Sequence, residues 1–299
     1  MMNKHNGDNI SDLVPMNRSK IVMRAVLLEL RKNPNMAYGL LVVVFMVLLA
    51  LAAPILFSVD PQGLTPLDKF TSPSSAYWFG TDHLGRDVYS RVLYGSRISL
   101  TVAGSVAVSA TAVGILLGIV AGYDYRMDAV IMRFVDGLMT IPTILLGMAF
   151  MALLGGSVQN IIIALTITQS PVMARVVRSS TLELKREQYV DAALAMGASP
   201  IRIIFRHILP NAFAPIIVQA TFVAAAAVLI ESSLSFLGAG IPPRIPSWGG
   251  MISLSTNYLS TAPWNIIFPG AFLTFTVLGI SLLGDGIRDV LDPTLRRRE

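Results

Sequence analysis

Six long apolar runs constrain this chain more than any other feature of its sequence. They cover residues 37–57, 98–122, 130–154, 161–177, 212–237 and 266–283. A hydrocarbon core about 30 Å thick needs roughly 20 predominantly apolar residues for each helical crossing. The chain is also 54% hydrophobic and only 14% charged, whereas about 25% of residues are charged in a typical soluble domain. The sequence therefore predicts an all-α, polytopic membrane protein with six transmembrane helices.

The polar segments between the apolar runs divide the chain into regions. Asn33-Pro34 has the residue types that begin helices, so we expect an N-terminal tail at 1–35 and the first transmembrane helix at 36–58. Basic residues at helical spacing in the tail favour an amphipathic helix on the membrane surface, and a disordered tail is the alternative. The remaining regions are a periplasmic segment (59–97), a five-helix core (98–288) containing a polar loop (179–210), and a C-terminal tail (289–299).

Lysine and arginine are distributed unequally between the two sides of this scheme. Basic residues near the ends of spans are retained in the cytoplasm. If the N-terminus is inside, 18 of the 23 basic residues lie on the cytoplasmic side, and the other five are Lys69, Arg86, Arg91, Arg97 and Arg244. We therefore expect both termini and the 179–210 loop to be cytoplasmic. Since the charges lie at span ends, the net charge of +5 indicates contact with membrane lipid and not with nucleic acid.

Several classes of function find no support in the sequence. It has no cysteine, and its three histidines, His5, His83 and His207, all lie outside the apolar runs. The Gly-x-Ser-x-Gly, His-Glu-x-x-His and phosphate-loop motifs do not occur, although intramembrane hydrolases or ATPases would need such groups. We therefore predict that this chain is not an enzyme, has no metal site and binds no cofactor.

Gly114, Gly118 and Gly122 recur at steps of four in the second apolar run. Such a ridge without side chains lets another helix approach closely, and a flexible kink is the alternative interpretation.

Residues 179–210 form the longest polar connection on the cytoplasmic side. Tyr189, Ala193 and Met196 are spaced to share one helical face. Gly197 can end that helix in a left-handed conformation, and Ser199-Pro200 can begin a second helix. From periodicity alone, this helix-glycine-helix segment fits a connector resting on the lipid surface as well as a docking element.

In the same loop, Asp191-Ala192-Ala193 is followed after three residues by Gly197 and later by Leu209-Pro210. This order resembles the EAA loop of bacterial ABC importer permeases, with Asp191 where that motif has Glu and His207 where Ile is common. Three more stretches resemble the peptide and nickel importer branch: FGTDHLGRD (79–87) with Ser90-Arg91, LSFLG (234–238) with PSWG (246–249), and GDGIRDVLDP (284–293). The resemblance extends from Asn33 to the C-terminus and points to subunits of the dipeptide permease "C" type.

The resemblance implies a type I ABC importer permease fold in the bacterial inner membrane. The residues that it assigns to coupling with an ATPase are Tyr189, Asp191, Ala192, Ala193, Met196, Gly197, Ala198, Ser199 and Pro200. It also implies a second homologous permease subunit, two ATPase subunits that bind ATP and Mg²⁺, and an extracytoplasmic solute-binding protein. The expected function is translocation of di- or oligopeptides. Glutathione or nickel chelates are alternative solutes, and a receptor or channel without an ATPase is the alternative class.

Ionisable residues inside the apolar runs are further candidates, because each costs roughly 2.5–3.5 kcal/mol on insertion scales. Arg133 and Asp136 are three residues apart and can form a structural ion pair. Glu231, toward the outer end of the fifth run, either lines the solute path, where it would meet the amino end of a peptide, or caps a helix end by hydrogen bonding. Asp82, His83, Arg86 and Asp87 are expected to shape the outer loop, and contact with the solute-binding protein is the alternative.

Overall fold

The computed structural model describes residues 33–56 and 61–291, and these residues are predominantly helical. The helices are α1 (Pro34–Leu56), α2 (Val88–Tyr123), α3 (Tyr125–Thr140), α4 (Thr143–Leu154), α5 (Val158–Leu184), α6 (Gln188–Ala195), α7 (Pro200–Ile203), α8 (Phe213–Phe236), α9 (Trp248–Ser255) and α10 (Trp264–Leu291). α7 continues through a π-helical turn (Ile204–Ile208) and Leu209–Asn211. The predicted all-α fold is confirmed. The predicted amphipathic helix of the N-terminal tail lies outside the described residues.

In the described part of the chain, five helices are long and apolar enough to cross a membrane. They are α1, α2, α5, α8 and α10. They correspond to the first, second, fourth, fifth and sixth predicted spans. α5 leads into the 179–210 loop and α8 follows it, so we call this end of the bundle the loop end and the opposite end the far end.

The third predicted span, 130–154, is not one continuous helix. It is divided between α3 and α4, whose axes are bent by 92°. Ile141 and Pro142 separate the two helices with ψ angles of 129° and 130°. Proline disfavours helical geometry in the residue before it and has no N–H to continue the helix. Because α4 has only 12 residues, or about 18 Å of helix, it is too short to cross a bilayer alone.

α2 begins at Val88 and not at residue 98, so part of the predicted periplasmic segment is helical. The Asp87 carboxylate caps this helix by accepting the backbone N–H of Ser90 at 3.0 Å. Arg91, in the first turn, is only 2% exposed and donates to the carbonyl oxygens of Pro61 (3.0 Å) and Pro243 (3.4 Å). Because hydrogen bonds satisfy both of these charged groups, α2 can begin before its apolar stretch.

The glycine ridge of α2 packs against α5, as predicted. At Gly114, Gly118 and Gly122, an added Cβ would come within 3.0 Å of α5 atoms. At Gly118 it would lie 2.6 Å from the carbonyl oxygen of Ala174, a backbone atom that cannot move aside locally. The ridge therefore serves helix packing.

α1 and α10 approach each other through small residues in the same way. Gly39 of α1 lies against the backbone of Gly279 and Leu283, and Gly286 of α10 lies against Met36. The first span is therefore an integral part of the helix bundle.

Loop segments and α9 cover the far end of the bundle. Trp248 is fully buried, and its indole N–H donates to the carbonyl oxygen of Val92 in α2 at 3.1 Å. Asp82 pairs with Arg86 at 2.6 Å and accepts the backbone N–H of Leu84 at 2.8 Å. These contacts give the charged residues of the 79–87 stretch the loop-shaping role that the sequence predicted.

Candidate functional site

The 179–210 loop is a helix, a glycine turn and a second helix, as the sequence predicted. α6 ends at Ala195, and Gly197 has a φ of +80°. The N–H of Gly197 donates to the carbonyl oxygen of Leu194 (2.9 Å), and the N–H of Ala198 donates to that of Ala193 (3.0 Å). This pair of bonds is the Schellman arrangement that satisfies the last carbonyl groups of a helix.

The second helix of the loop begins at Pro200. The Ser199 hydroxyl accepts the backbone N–H of Arg202 at 3.4 Å, which places Ser199 at the N-cap. Proline suits the first helical position because its missing N–H would be unpaired there in any case. The chain therefore reverses within a few residues and returns toward the membrane.

One face of this helix pair packs inward, and it includes Ala193. Val190 is buried together with Ile203 and Ile208, and Ala193 is only 3% exposed. The prediction that Ala193 shares one face with Tyr189 and Met196 is therefore wrong, because Tyr189 is 40% and Met196 83% exposed. Positions 190 and 193 lie one turn apart on the inner stripe of α6, and the second helix covers that stripe.

The outward face carries large apolar side chains that nothing in the described part of the chain covers. We call these four residues the apolar tip: Leu194, Met196, Ile201 and Phe205. Met196 is 83% exposed. Among the coupling residues expected from the resemblance, Asp191, Ala192, Gly197, Ser199 and Pro200 are also exposed, whereas Ala198 is half-buried. An exposed apolar group with a polar rim is typical of a protein-binding surface.

Three members of the apolar tip were missed by the sequence analysis, although a signal was available. Ile201 and Phe205 are four residues apart and share a face of the second helix. Ile203 and Ile208 already supply the buried stripe of that helix. The segment therefore has more apolar residues than one buried face requires.

One contact attaches the loop to the bundle, and another holds the two helices of the loop together. The Lys185 ammonium donates to the carbonyl oxygen of Tyr123, at the end of α2, at 2.7 Å and lies 4.8 Å from the centroid of the Tyr123 ring. The Tyr189 ring lies 6.1 Å from the ring of His207. Burial raises the pKa of the Tyr189 phenol, and the nearby Glu187 carboxylate raises it further. The Tyr189 phenol therefore remains protonated at neutral pH.

The predicted ion pair between Arg133 and Asp136 is replaced by pairs between helices. Asp136 accepts from the Arg175 guanidinium of α5 at 2.7 Å. Asp128 accepts two N–H groups of Arg178, also in α5, at 2.5 and 2.6 Å. Spacing along α3 made an Arg133–Asp136 pair geometrically possible, but α5 presents a guanidinium directly to each carboxylate.

Glu231 is fully buried in the structure, and so the expectation that it lines an open path is corrected. Its carboxyl oxygens accept the hydroxyl groups of Ser235 (2.9 Å), Ser99 (3.2 Å) and Ser232 (3.4 Å). Because Ser99 belongs to α2, these bonds join α8 to α2 near the far end. Hydroxyl groups satisfy a polar group that lipid would leave unpaired. Of the two predicted roles of Glu231, the structure therefore has hydrogen bonding, and one of its partners is on the neighbouring helix α2.

Among the described residues, no group of three or more His, Asp or Glu side chains is arranged to hold a metal ion. In this part of the chain, the candidate functional features are the apolar tip and the ion pairs between α3 and α5.

Comparison with known proteins gives a consistent result. A family model described as "Binding-protein-dependent transport system inner membrane component" matches residues 114–297. The chain is 42% identical to the dipeptide transport system permease protein DppC of Alkalihalophilus pseudofirmus, over 90% of this chain and 88% of that protein. It is 45% identical to a probable peptide ABC transporter permease protein, y4tQ, of Sinorhizobium fredii, over 90% and 92% of the two chains. It is 37% identical to the oligopeptide transport system permease protein OppC of Bacillus subtilis, over 94% and 92%.

The fold is also shared with a solved transporter. An inward-facing structure of the MetNI methionine ABC transporter superposes with a TM-score of 0.58 at 19% identity, covering 68% of this chain and 96% of that one. At this identity the match concerns the fold alone. The family is one of transport permeases and not of enzymes, and membership implies ATPase and solute-binding-protein partners. This chain belongs to the family of inner-membrane components of binding-protein-dependent transport systems, and it is a multi-pass permease subunit of an ATP-binding cassette importer.

Proposed function

We propose that this chain forms one half of a permease that carries di- or oligopeptides across the inner membrane. The proposal is supported by relatives named as dipeptide and oligopeptide permeases, which are 42% and 37% identical to this chain. Each alignment covers at least 88% of both chains. Glutathione and nickel chelates are the competing solutes, and a transport assay separates the three.

We propose further that an ATPase subunit docks on the apolar tip and the exposed residues around the Gly197 turn. The observation that carries this step is Met196, an apolar side chain 83% exposed on a polar loop. Burying such a side chain in a partner's groove yields roughly 1.5–3 kcal/mol. ATP and Mg²⁺ are bound by the ATPase partners in this scheme, and this chain binds no cofactor.

The loop is built to transmit force from that contact. It connects α5 to α8 directly, and Lys185 joins it to the end of α2. The buried cluster of Val190, Ile203 and Ile208 holds its two helices together. A displacement of the apolar tip therefore moves the loop as one body and displaces three spans.

We propose a second, homologous permease subunit against α3 and α4. Val130, Phe134, Leu145 and Leu153 are all exposed on these two helices. α4 is too short to cross lipid by itself, and a bent span in a membrane needs protein or a water-filled cavity beside it. A second subunit would supply protein beside the bent span, and a solute path between the two subunits would supply a water-filled cavity.

The proposed orientation places both termini and the 179–210 loop in the cytoplasm, because 18 of the 23 basic residues then lie inside. A reporter enzyme fused after Lys185 is expected to show cytoplasmic activity, and one fused within 61–80 is expected to show external activity. The reverse result at either site would contradict the proposed topology.

The test of the coupling proposal is Gly197→Val. Valine at a φ of +80° costs roughly 1–2 kcal/mol. An added Cβ meets no neighbouring atom there, so the main expected cost is the backbone conformation. We expect dipeptide uptake per ATP hydrolysed to fall about tenfold, the factor that 1.4 kcal/mol corresponds to. The measurement uses the full complex in liposomes, with partner permease, ATPases and binding protein.

Gly238→Val is the matched control. Gly238 has a φ of +79° and open space around it, and the same two hydrogen bonds close its turn, but it lies at the far end. It should lose a similar amount of stability without uncoupling ATP hydrolysis from uptake. Equal uncoupling in both variants would contradict docking at the 179–210 loop. If the wild-type complex took up glutathione or a nickel chelate but no dipeptide, that compound would replace the dipeptide as the proposed solute.

A further inference from the structure

We propose that Asp136 and Arg175 form a solute-contacting charge pair in the translocation path, one that binds the two charged ends of a zwitterionic peptide. This inference rests on the proposed function and names the groups that carry it out. The pair joins α3 to α5, with 2.7 Å between the Arg175 Nη2 and an Asp136 carboxylate oxygen.

Both charges of the pair are exposed at the surface of this chain. The side chain of Asp136 is 62% exposed and that of Arg175 is 52% exposed. The neighbouring pair of the same two helices, Asp128 and Arg178, is only 23% and 31% exposed. Two pairs with the same chemistry therefore differ about twofold in how much of their side chains is exposed at the surface of this chain.

The pair lies well inside one of the spans. α5 is long and apolar enough to cross a membrane, and at 1.5 Å per residue Arg175 lies about 14 Å from the loop end of this helix. Asp136 bonds to Arg175 and therefore lies at the same level. A charge facing lipid at such a depth is disfavoured by roughly 2.5–3.5 kcal/mol. The pair therefore faces water inside the assembled permease and not the acyl chains.

The next position of α5 lines a cleft that contains further polar groups, although neither Asp136 nor Arg175 lines it. A cleft of about 390 Å³ opens along α5 at Val176, the residue after Arg175, and its lining includes Gln219 of α8 and Arg288 of α10. A concave surface with a few polar groups among apolar ones is typical of small-molecule sites.

The chemistry of the pair fits a peptide with free ends. A carboxylate accepts the ammonium group of a peptide, and a planar guanidinium binds its carboxylate in a bidentate manner. Without solute the two side chains neutralise each other. Exposed ion pairs contribute only about 0–1 kcal/mol, so a passing zwitterion can exchange partners with the pair at little cost. The less exposed, two-bond pair of Asp128 and Arg178 is instead suited to holding α3 on α5.

The experiment compares charge removal with charge reversal in the reconstituted importer, with dialanine as the solute. Asp136→Asn and Arg175→Gln are each expected to lower uptake per ATP hydrolysed at least about fivefold, in line with the loss of a charge-assisted hydrogen bond. The double variant Asp136→Arg with Arg175→Asp restores an ion pair of opposite polarity. It should regain thermal stability but not uptake. The matched control, Asp128→Arg with Arg178→Asp, should regain both.

A labelling measurement tests the same inference without transport. The chain has no cysteine, so Arg175→Cys introduces a single thiol into it. A water-soluble methanethiosulfonate reagent should label this thiol in the assembled complex, and should label Ile163→Cys, which is exposed on the apolar part of α5, far more slowly. Full uptake by the charge-reversed Asp136 and Arg175 variant would show that the pair only holds α3 on α5. The absence of labelling of Arg175→Cys would show the same. Absence of dialanine uptake by the wild-type complex would instead contradict the proposed function itself.

Discussion

Met196→Asp is expected to lower solute uptake more than tenfold while the membrane-spanning helices stay folded. The Met196 side chain is 83% exposed, so it supports little of the packing of its own chain. In the docked state the new carboxylate would be buried against an apolar groove, and burying an unpaired charge is far more costly than losing one apolar contact. The measurements are ATPase co-purification, binding-protein-stimulated ATP hydrolysis and uptake, all in the same preparations.

Two control variants separate docking from a general effect of the substitution. Met196→Leu keeps an apolar side chain of similar volume and should retain most of the uptake. Gln188→Asp adds the same charge to the same loop at the first residue of α6, where a carboxylate suits the positive end of the helix. If Gln188→Asp uncoupled the complex as strongly as Met196→Asp, the apolar tip would not be the docking surface.

Gly118→Leu is expected to prevent stable packing of α2 on α5. An added Cβ there would lie 2.6 Å from the Ala174 carbonyl oxygen, so the helices must separate before the rest of the leucine is accommodated. Overpacking of this kind typically costs about 1–3 kcal/mol and occasionally more, and we expect the upper end because backbone atoms block the site. The variant should give little monodisperse protein in detergent and a lower midpoint of thermal unfolding.

Gly104→Leu is the matched control for this prediction. Gly104 lies in the same helix, but an added Cβ there meets no atom within 4 Å. Leucine also favours a helix over glycine by roughly 0.8 kcal/mol, so this variant should be neutral or more stable. Similar losses for Gly104→Leu and Gly118→Leu would mean that close packing against α5 is not what requires glycine at position 118.

Some features of this protein follow from local physics and were predictable from the sequence. Apolar runs long enough for lipid defined the spans, and glycine at steps of four defined the α2 surface that meets α5. Gly197 and Ser199-Pro200 defined the turn of the 179–210 loop, because only a residue without Cβ adopts a positive φ without strain. The break within 130–154 was also encoded locally, in Ile141-Pro142, although the apolar run concealed it.

The tertiary structure alone decided which side chains meet, because a partner on another helix is not determined by spacing along one helix. Asp136 pairs with a residue 39 positions away, and Glu231 bonds to one 132 positions away. Ala193 lies on the buried side of α6 together with Val190. The sequence by itself determined a helical permease with a helix-glycine-helix loop at 179–210. Only the packing of α3 on α5 and of α8 on α2 decided that Glu231 is buried and that Asp136 and Arg175 carry exposed charge.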